Sequence, residues 1–188
     1  MIINIHGFTG SGNNSKYRWL QDNIQDHEIY SPTFDYSSQS PQGILDRLSE
    51  KVACCSQTKS DDLTGLYVLG SSLGAFFARC LNLLYPKLTT VLINPALAPF
   101  LPLRGYIDCR AYLALLANLA YADDNLGDES RLYVIMGDAD EVINHEKMTR
   151  PLLPPNFKRI YVIRGGVHRL DLGHEVSGIL KSIFGNKT

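Results

Sequence analysis

Short apolar runs rich in β-branched residues alternate with longer amphipathic stretches along the 188 residues. This alternation is typical of strands joined by crossover helices in a mainly parallel sheet. It predicts six strands, near residues 2–6, 28–32, 66–69, 89–94, 132–136 and 159–163. In such a sheet the functional groups gather where the strands end.

The amphipathic stretches are bracketed by polar residues, proline or glycine, as helix ends usually are. They predict helices near residues 16–25, 41–57, 73–85, 110–122, 145–153 and 172–184. With 45% hydrophobic residues, a chain of this length can bury one sizeable core. The sequence therefore predicts a single α/β domain over residues 1–188, with helices on both faces of its sheet.

The most specific chemical signal is GLYVLGSSLGA at residues 65–75, which joins the third predicted strand to a helix. Its G-x-S-x-G pattern is that of a nucleophile elbow, a sharp turn that holds Ser72 in strained geometry and lifts its hydroxyl clear. A side chain at Gly70 or Gly74 would collide as the helix doubles back along the strand. We predict that Ser72 is a nucleophile; the alternative is a glycine-rich turn with a capping serine.

A serine nucleophile needs a base, and the base needs an orienting acid. In α/β-hydrolase chains the order is serine, acid, histidine, each on a loop after a strand. His168 follows the last predicted strand and the flexible Gly165-Gly166 pair, which predicts that it is the base. The acid is predicted to be Asp140, which precedes an apolar pair at 142–143. Asp138, which could cap the same turn, stays an alternative.

The remaining histidines are predicted to have other positions or roles. His6 is expected to brace the first βα turn rather than transfer protons. His174 is expected to begin the last helix, and His27 and His145 to occupy surface junctions.

Attack on a carbonyl places negative charge on oxygen, and backbone N–H groups aimed at that oxygen lower the barrier. Two such groups are predicted. One belongs to Leu73, directly after the nucleophile at the start of its helix, and the other to Phe8 in the first βα loop.

The connection at residues 95–130 is too long for a simple crossover. It contains a proline-marked stretch, 95–102, and an alanine- and leucine-rich helical stretch flanked by Tyr112 and Tyr121. Two interpretations stay open: a small cap or lid that shapes an apolar pocket over the elbow, or an ordinary helix covering the sheet.

Composition excludes several classes of function. A formal net charge of -1 and no Lys/Arg-rich run argue against a nucleic-acid partner. No segment approaches membrane-spanning length and the MIINIHG start lacks signal-peptide character, so a cytoplasmic location is expected.

The chain has four cysteines, Cys54, Cys55, Cys80 and Cys109, whose spacing is not that of metal ligands. They are expected to be reduced, and most of them are expected to pack in the core.

Five motifs together resemble the YqiA-like family of small bacterial α/β-hydrolase esterases. They are His6-Gly7-Phe8, VLGSSLGA at 68–75, INPALAPF at 93–100, GDADEVIN at 137–144 and GGVHRL at 165–170. The resemblance spans most of the chain. It implies an α/β-hydrolase fold and an esterase acting on short acyl esters without metal or cofactor. By motif, it also implies Ser72 as nucleophile, Asp140 as acid and His168 as base.

The sequence thus predicts a serine carboxylesterase that cleaves short-chain acyl esters or thioesters through an acyl-enzyme. One alternative is a nucleotide binder, because GFTGSG at 7–12 follows a strand as a phosphate-binding loop does. Asn13 and Asn14 stand where such a loop needs lysine and a hydroxyl residue, which argues against it. The other alternative is a non-catalytic module of the same fold that binds a ligand or a protein.

Overall fold

The computed structural model describes residues 1–57, 63, 65–121, 129–154 and 157–185. Within these ranges six strands form one sheet in the order β2-β1-β3-β4-β5-β6, with every neighbouring pair parallel. The strands are β1 (Ile2–Ile5), β2 (Ile29–Tyr30), β3 (Tyr67–Ser71), β4 (Thr89–Ile93), β5 (Leu132–Gly137) and β6 (Ile160–Ile163). The six predicted strands are confirmed, with modest differences at their ends.

Six α-helices accompany the strands in the described part of the chain. They are α1 (Ser15–Asn23), α2 (Pro41–Gln57), α3 (Leu73–Leu84), α4 (Cys109–Tyr121), α5 (His145–Met148) and α6 (His174–Phe184). The helix predicted at 145–153 is divided, because α5 ends at Met148 and a 3-10 turn covers Arg150–Leu152. Pro151 explains the break, since proline lacks an N–H and its ring clashes with the carbonyl one turn earlier. As expected, His174 begins the last helix.

Helices cover both faces of the sheet, as predicted. On one face, Ile3, Val68 and Leu92 pack in a core that includes side chains of α2, α3 and α4. On the other face, Ile2 and Leu69 pack in a second core with side chains of α1 and α6. Alternate residues of each strand point to opposite faces, so these buried strands read as nearly continuous apolar runs.

Helix α4 lies within the long connection at 95–130 and packs against α3. Its Tyr112 is fully buried, with ring centroids 5.3 Å from Phe76 and 5.8 Å from Phe77, both on α3. This contact is that of a covering helix. Residues 122–128 and the side chain of Tyr121 lie outside the described residues, and a cap or lid role for the connection stays a prediction.

The sheet order reverses between β1 and β3, which lie side by side with Ile5 opposite Gly70. At such a switch point the loops leaving the two strands diverge and open a crevice at their carboxyl ends. The loop after β1 contains Phe8, and the turn after β3 contains Ser72. Among the described residues, no helix has both the length and the apolar character needed to cross a membrane.

Candidate active site

Ser72 occupies the tight turn between β3 and α3. Its backbone has φ 53° and ψ −119°, in the positive-φ region that residues with a side chain rarely adopt. The turn is fixed to the neighbouring strand, because the Ser72 N–H donates to Ile93 O at 2.9 Å and the Ser72 carbonyl accepts from Ala96 N at 3.1 Å. The geometry is that of a nucleophile elbow, with the side chain held at the carboxyl edge of the sheet.

The two glycines flanking Ser72 are required by close contacts. A Cβ on Gly70 would lie 2.6 Å from Gly74 O, and a Cβ on Gly74 would lie 2.2 Å from Ile5 O and 2.4 Å from His6 O. The first turn of α3 therefore rests directly on the end of β1. This contact brings the loop after β1 against Ser72. The crowding between helix and preceding strand that the sequence predicts is seen at Gly70, whereas at Gly74 the crowding comes from β1.

Replacement of Gly74 by alanine should destabilise the fold, because backbone carbonyls of β1 have no room to move away from the new methyl group. We expect the free energy of unfolding to fall by about 3 kcal/mol. The matched control is Gly178→Ala, in the middle of α6, where a Cβ meets nothing within 4 Å. That change should raise stability by up to about 1 kcal/mol, because alanine is the better helix former. Urea unfolding of both variants measures the difference, and equal behaviour would contradict it.

The structure brings Ser72, His168 and Asp140 into one hydrogen-bonded series. The Ser72 hydroxyl lies 3.0 Å from His168 Nε2. On the other side of the ring, His168 Nδ1 lies 2.9 Å from Asp140 Oδ2 and 3.0 Å from Oδ1. Since an ionised carboxylate only accepts, the Nδ1 atom carries the proton and Nε2 is left to accept from the serine. A serine hydroxyl thus faces an imidazole nitrogen that is free to take its proton.

Asp140 is held by its own turn as well as by His168. Its Oδ1 accepts from the N–H groups of Val142 at 2.9 Å and Ile143 at 2.8 Å. Burial alone would raise the pKa of Asp140, but the bonds from Ile143, His168 and Val142 outweigh it and hold the pKa below its usual value. The carboxylate is therefore ionised at neutral pH, in the state that orients and stabilises a protonated imidazole.

Asp138 and Glu141 lie on either side of Asp140. Both accept hydrogen bonds from backbone N–H groups of the loop after β6, which contains His168 and is called the histidine loop below. Asp138 Oδ1 accepts from Gly165 N at 2.6 Å, and Glu141 Oε2 accepts from His168 N at 2.9 Å. Asp138, the alternative acid, thus secures the turn after β6, and the carboxylate of Asp140 is the one that meets the ring. Both flanking carboxylates fix the backbone from which the His168 ring projects.

Asn94 was not singled out by its side chain in the sequence, yet it ties three strand ends together. Its buried amide donates to Val167 O and His168 O, both at 2.9 Å, and accepts from Gly137 N at 2.8 Å. The loop after β6 must pass β5 and β4 to reach Ser72, a distance of about 14 Å at usual strand spacing. Asn94, at the end of β4 with φ 41°, binds the loop where it passes β4. The signal in the sequence was an asparagine at a strand end inside the INPALAPF motif.

His145 was expected at a surface junction, and this expectation is wrong. Its side chain is buried, with 7% exposed, and Nε2 lies 3.0 Å from Asp140 Oδ2. Its other nitrogen, Nδ1, lies 2.9 Å from the hydroxyl of the fully buried Thr149. The short helix α5 turns its first residue inward because the preceding loop folds back over Asp140, a tertiary contact that local sequence does not reveal.

His6 braces the first βα turn, as expected. Its Nδ1 lies 2.7 Å from Gly7 O, and its Nε2 accepts from Phe34 N at 2.9 Å. Burial lowers the pKa of His6, which keeps the ring neutral, and the bond to Gly7 opposes that shift only in part. Both nitrogens are thus engaged with backbone groups. His27, also expected at a surface junction, is half-buried at the amino ends of the strands and contacts Phe184 O at 3.3 Å.

The loop after β1 and the start of α3 lie beside Ser72. A Cβ on Gly7 would lie only 3.1 Å from the Cβ of Ser72, so the backbone leading into Phe8 passes directly against the elbow. Leu73 is the first residue of α3, and its N–H has no acceptor within the helix. This arrangement places two backbone segments next to Ser72; their role as oxyanion donors stays a prediction.

The cysteines are all in the free thiol form. Cys80 is buried in the core, Cys55 and Cys109 are half-buried and pack against it, and Cys54 is exposed, so the expectation that most of the cysteines pack in the core is confirmed. Burial raises the pKa of the Cys80 thiol to about 12, which leaves it protonated and unreactive. Across the described ranges, no group of three or more histidine, cysteine or acidic side chains is arranged so that it could hold a metal ion.

Comparison with solved structures identifies the fold. The structure of Est1E from Butyrivibrio proteoclasticus with ferulic acid bound aligns with a TM-score of 0.64 and 15% identity, over 98% of this chain and 86% of that one. A monoacylglycerol lipase of Paleococcus ferrophilus aligns with a TM-score of 0.65 and 13% identity, over 98% and 93%. The chain therefore has the α/β-hydrolase fold, here with a reduced six-stranded sheet.

Sequence comparison identifies the family. The model described as "Uncharacterised protein family (UPF0227)" matches residues 1–171. A UPF0227 protein of Shewanella sp. (strain ANA-3) is 33% identical over 156 residues, which is 82% of this chain and 83% of the relative. A UPF0227 protein of Shewanella oneidensis is 34% identical over 148 residues, 78% and 79% of the two chains. The chain belongs to UPF0227, the YqiA family, and the resemblance seen in its motifs is confirmed.

Proposed function

We propose that this protein is a serine carboxylesterase that cleaves short-chain acyl esters or thioesters through an acyl-enzyme intermediate. The observation that carries the proposal is the 3.0 Å contact between the Ser72 hydroxyl and His168 Nε2, with Asp140 bound to the far side of the ring. A strained elbow, a tautomer fixed by a buried carboxylate and a serine within proton-transfer distance are the parts that acyl transfer requires. The α/β-hydrolase fold is in keeping with this chemistry.

In the acylation half, Ser72 Oγ attacks the carbonyl carbon of the ester and its proton passes to His168 Nε2. The carbonyl oxygen becomes an oxyanion, which the N–H groups of Phe8 and Leu73 stabilise by about 3 kcal/mol for each donor. The ring is now an imidazolium, and ionised Asp140 stabilises its charge across Nδ1. When the tetrahedral intermediate collapses, the bond to the leaving group breaks and Nε2 returns the proton to the departing alcohol or thiol.

In the deacylation half, water takes the place of the leaving group. Nε2 removes a proton from the water as its oxygen attacks the acyl carbon, and the same two N–H groups bind the second oxyanion. Collapse then releases the acid and returns the proton to Ser72 Oγ. Every proton in the cycle is carried by His168, so the residues of the chain supply the chemistry without a metal or cofactor.

Substrate size is proposed from the surroundings of the elbow. Phe8 follows the glycine that abuts Ser72, and its ring centroid lies 6.0 Å from that of Tyr106, which is two-thirds exposed. This aromatic pair gives the crevice an apolar wall near the nucleophile. A chain of 188 residues leaves little material for a large lid, which favours short acyl groups over long lipid chains.

The proposal is tested with p-nitrophenyl esters of increasing acyl length and with an acetyl thioester, in the presence and absence of a chelator. We expect turnover of the short esters that falls as the acyl chain lengthens and that the chelator does not change. Turnover no faster than the buffer rate for every ester and thioester would contradict the proposal. A rate abolished by the chelator would contradict the metal-free mechanism.

A further inference from the structure

Asp140 is shared by two imidazole rings. Its Oδ2 atom lies 2.9 Å from His168 Nδ1 and 3.0 Å from His145 Nε2, and its own side chain is 1% exposed. With Val142 and Ile143 on Oδ1, the buried carboxylate meets four N–H groups from two backbone and two side-chain donors. A buried carboxylate held at four points has little freedom to rotate. Only one of the two rings, that of His168, reaches Ser72.

We propose that His145 is a positioning residue: it donates from Nε2 to Asp140 Oδ2 and so fixes the carboxylate plane that aligns His168 for proton transfer. This inference rests on the proposed esterase function for its effect on rate. The contact itself is a property of the fold. The donor of this bond, His145, belongs neither to the elbow nor to the series formed by Ser72, His168 and Asp140.

The direction of the donor follows from what faces each ring nitrogen. Ionised Asp140 can only accept, so Nε2 of His145 carries a proton. Its Nδ1 faces the Thr149 hydroxyl, which also lies 2.9 Å from Pro95 O. With one hydrogen, that hydroxyl donates either to the ring or to the carbonyl. When the His145 ring is neutral, the Thr149 hydroxyl donates to Nδ1. When the ring is charged, Nδ1–H donates to the Thr149 oxygen, and the hydroxyl donates to Pro95 O.

The charge of the second ring also bears on the first. The charged or titratable groups that act on His145 are Asp140, His168 and Arg150. Arg150 in turn pairs with Glu146 at 2.5 Å. Burial lowers the pKa of His145, with Asp140 opposing that shift and His168 and Arg150 adding to it. At neutral pH the ring is therefore a neutral donor to Asp140. Both His145 and His168 thus bind the carboxylate, and a neutral His145 leaves its negative charge available to stabilise the imidazolium of His168.

Removal of the donor has two separable consequences. With one bond fewer, the Asp140 carboxylate is free to turn, and the His168 ring that it aligns can shift. A misplacement of the ring by about 1 Å costs up to roughly 100-fold in rate. The carboxylate also has its charge less satisfied, so it holds the imidazolium proton of His168 more strongly. The acid limb of the pH profile of kcat/KM should therefore move to higher pH, a shift that mere loss of stability would not produce.

The test compares three variants of the full chain in ester hydrolysis. His145→Phe keeps a planar ring but has no donor, and kcat should fall roughly 10- to 100-fold with the shifted acid limb. His145→Gln places an amide N–H near the position of Nε2 and should recover most of the rate and the original acid limb. The matched control is His27→Phe, a half-buried ring at the opposite end of the sheet packed 5.2 Å from Tyr67, which should leave both unchanged.

A normal kcat and pH profile in His145→Phe would overturn the inference. If that variant does not fold, Thr149→Val takes its place. It removes the hydroxyl at Nδ1 while keeping the side-chain shape, and it should lower kcat in the same direction by a smaller factor. A rate loss in Thr149→Val without movement of the acid limb would mean that the segment is merely structural and would also overturn it.

A measurement without substrate separates this inference from the proposed function. Long-range proton–nitrogen NMR of the imidazole rings in the wild-type protein reports which nitrogen of each ring carries the proton. We expect the Nε2–H form for His145 and the Nδ1–H form for His168 at neutral pH. An inactive protein with these tautomers would retain the positioning contact while the esterase proposal fails. An active protein with His145 in the Nδ1–H form would overturn the contact alone.

Discussion

Ser72→Ala should reduce ester turnover by about 10⁶-fold, to the level set by binding and oxyanion stabilisation alone. The reason is that the hydroxyl that faces His168 Nε2 at 3.0 Å is gone. The fold should persist, because alanine at φ 53° carries no more steric strain than serine does. Steady-state hydrolysis of p-nitrophenyl acetate, beside a thermal unfolding curve, measures both quantities.

The adjacent serine provides a matched control. The hydroxyl of Ser71 is buried and has no hydrogen-bond partner within the described ranges. Ser71→Ala changes the same motif by the same single oxygen, yet turnover should stay close to that of the wild type. Stability should not fall, since an unsatisfied buried hydroxyl is removed rather than a bond. Equal losses in the two variants would mean that the elbow, and not the Ser72 hydroxyl, is what matters.

Asp140→Asn should reduce kcat by about 10⁴-fold. An amide in place of the carboxylate no longer demands an Nδ1–H from His168, so the ring can adopt the tautomer with its proton on Nε2, facing Ser72. The negative charge that stabilises the imidazolium is lost at the same time. Because the two backbone donors from Val142 and Ile143 can still reach the side-chain oxygen, the turn should keep its shape. Ester turnover and circular dichroism together measure this.

Asp138→Asn is the control for the choice of acid. Asp138 binds Gly165 N and not the His168 ring, and an asparagine oxygen can accept the same bond. We expect a loss of no more than a few-fold, through a slightly looser histidine loop. If Asp138→Asn were the more damaging change, the assignment of the acid would be reversed.

The fold and the elbow could be predicted because their causes are local. Alternation of apolar runs with amphipathic stretches reports burial on both faces of a parallel sheet, and all six strands followed from it. At the elbow, Gly70 is crowded by Gly74 and Ala75, which follow closely in sequence, so the need for glycine there could be predicted; the crowding of Gly74 by the end of β1 is a tertiary contact. Asp140 and His168 were predicted from their place on loops after β5 and β6, since the carboxyl ends of parallel strands share one edge.

The contacts of Asn94 and His145 could not be predicted in the same way, because each depends on the path of a loop that the sequence pattern does not report. Asn94 binds Val167 O and His168 O only because the last loop crosses β4 on its way to Ser72. His145 lies only five residues after Asp140, and its ring meets the carboxylate because the intervening residues 141–144 fold back before α5. A lone histidine at a helix start looks like a surface residue until that loop is known. Pro151, which shortens α5, carried a local signal that the helix prediction did not use.

The most direct test of the account is the site of reaction with a fluorophosphonate, which bonds covalently to activated serine hydroxyls. Peptide mass spectrometry of the labelled native protein should place one adduct on Ser72, and excess short-chain ester should suppress its formation. Heat-unfolded protein should not react, since activation depends on His168 and Asp140 being in place. Native protein that stays unlabelled, or that carries its adduct on a different residue, would contradict the account.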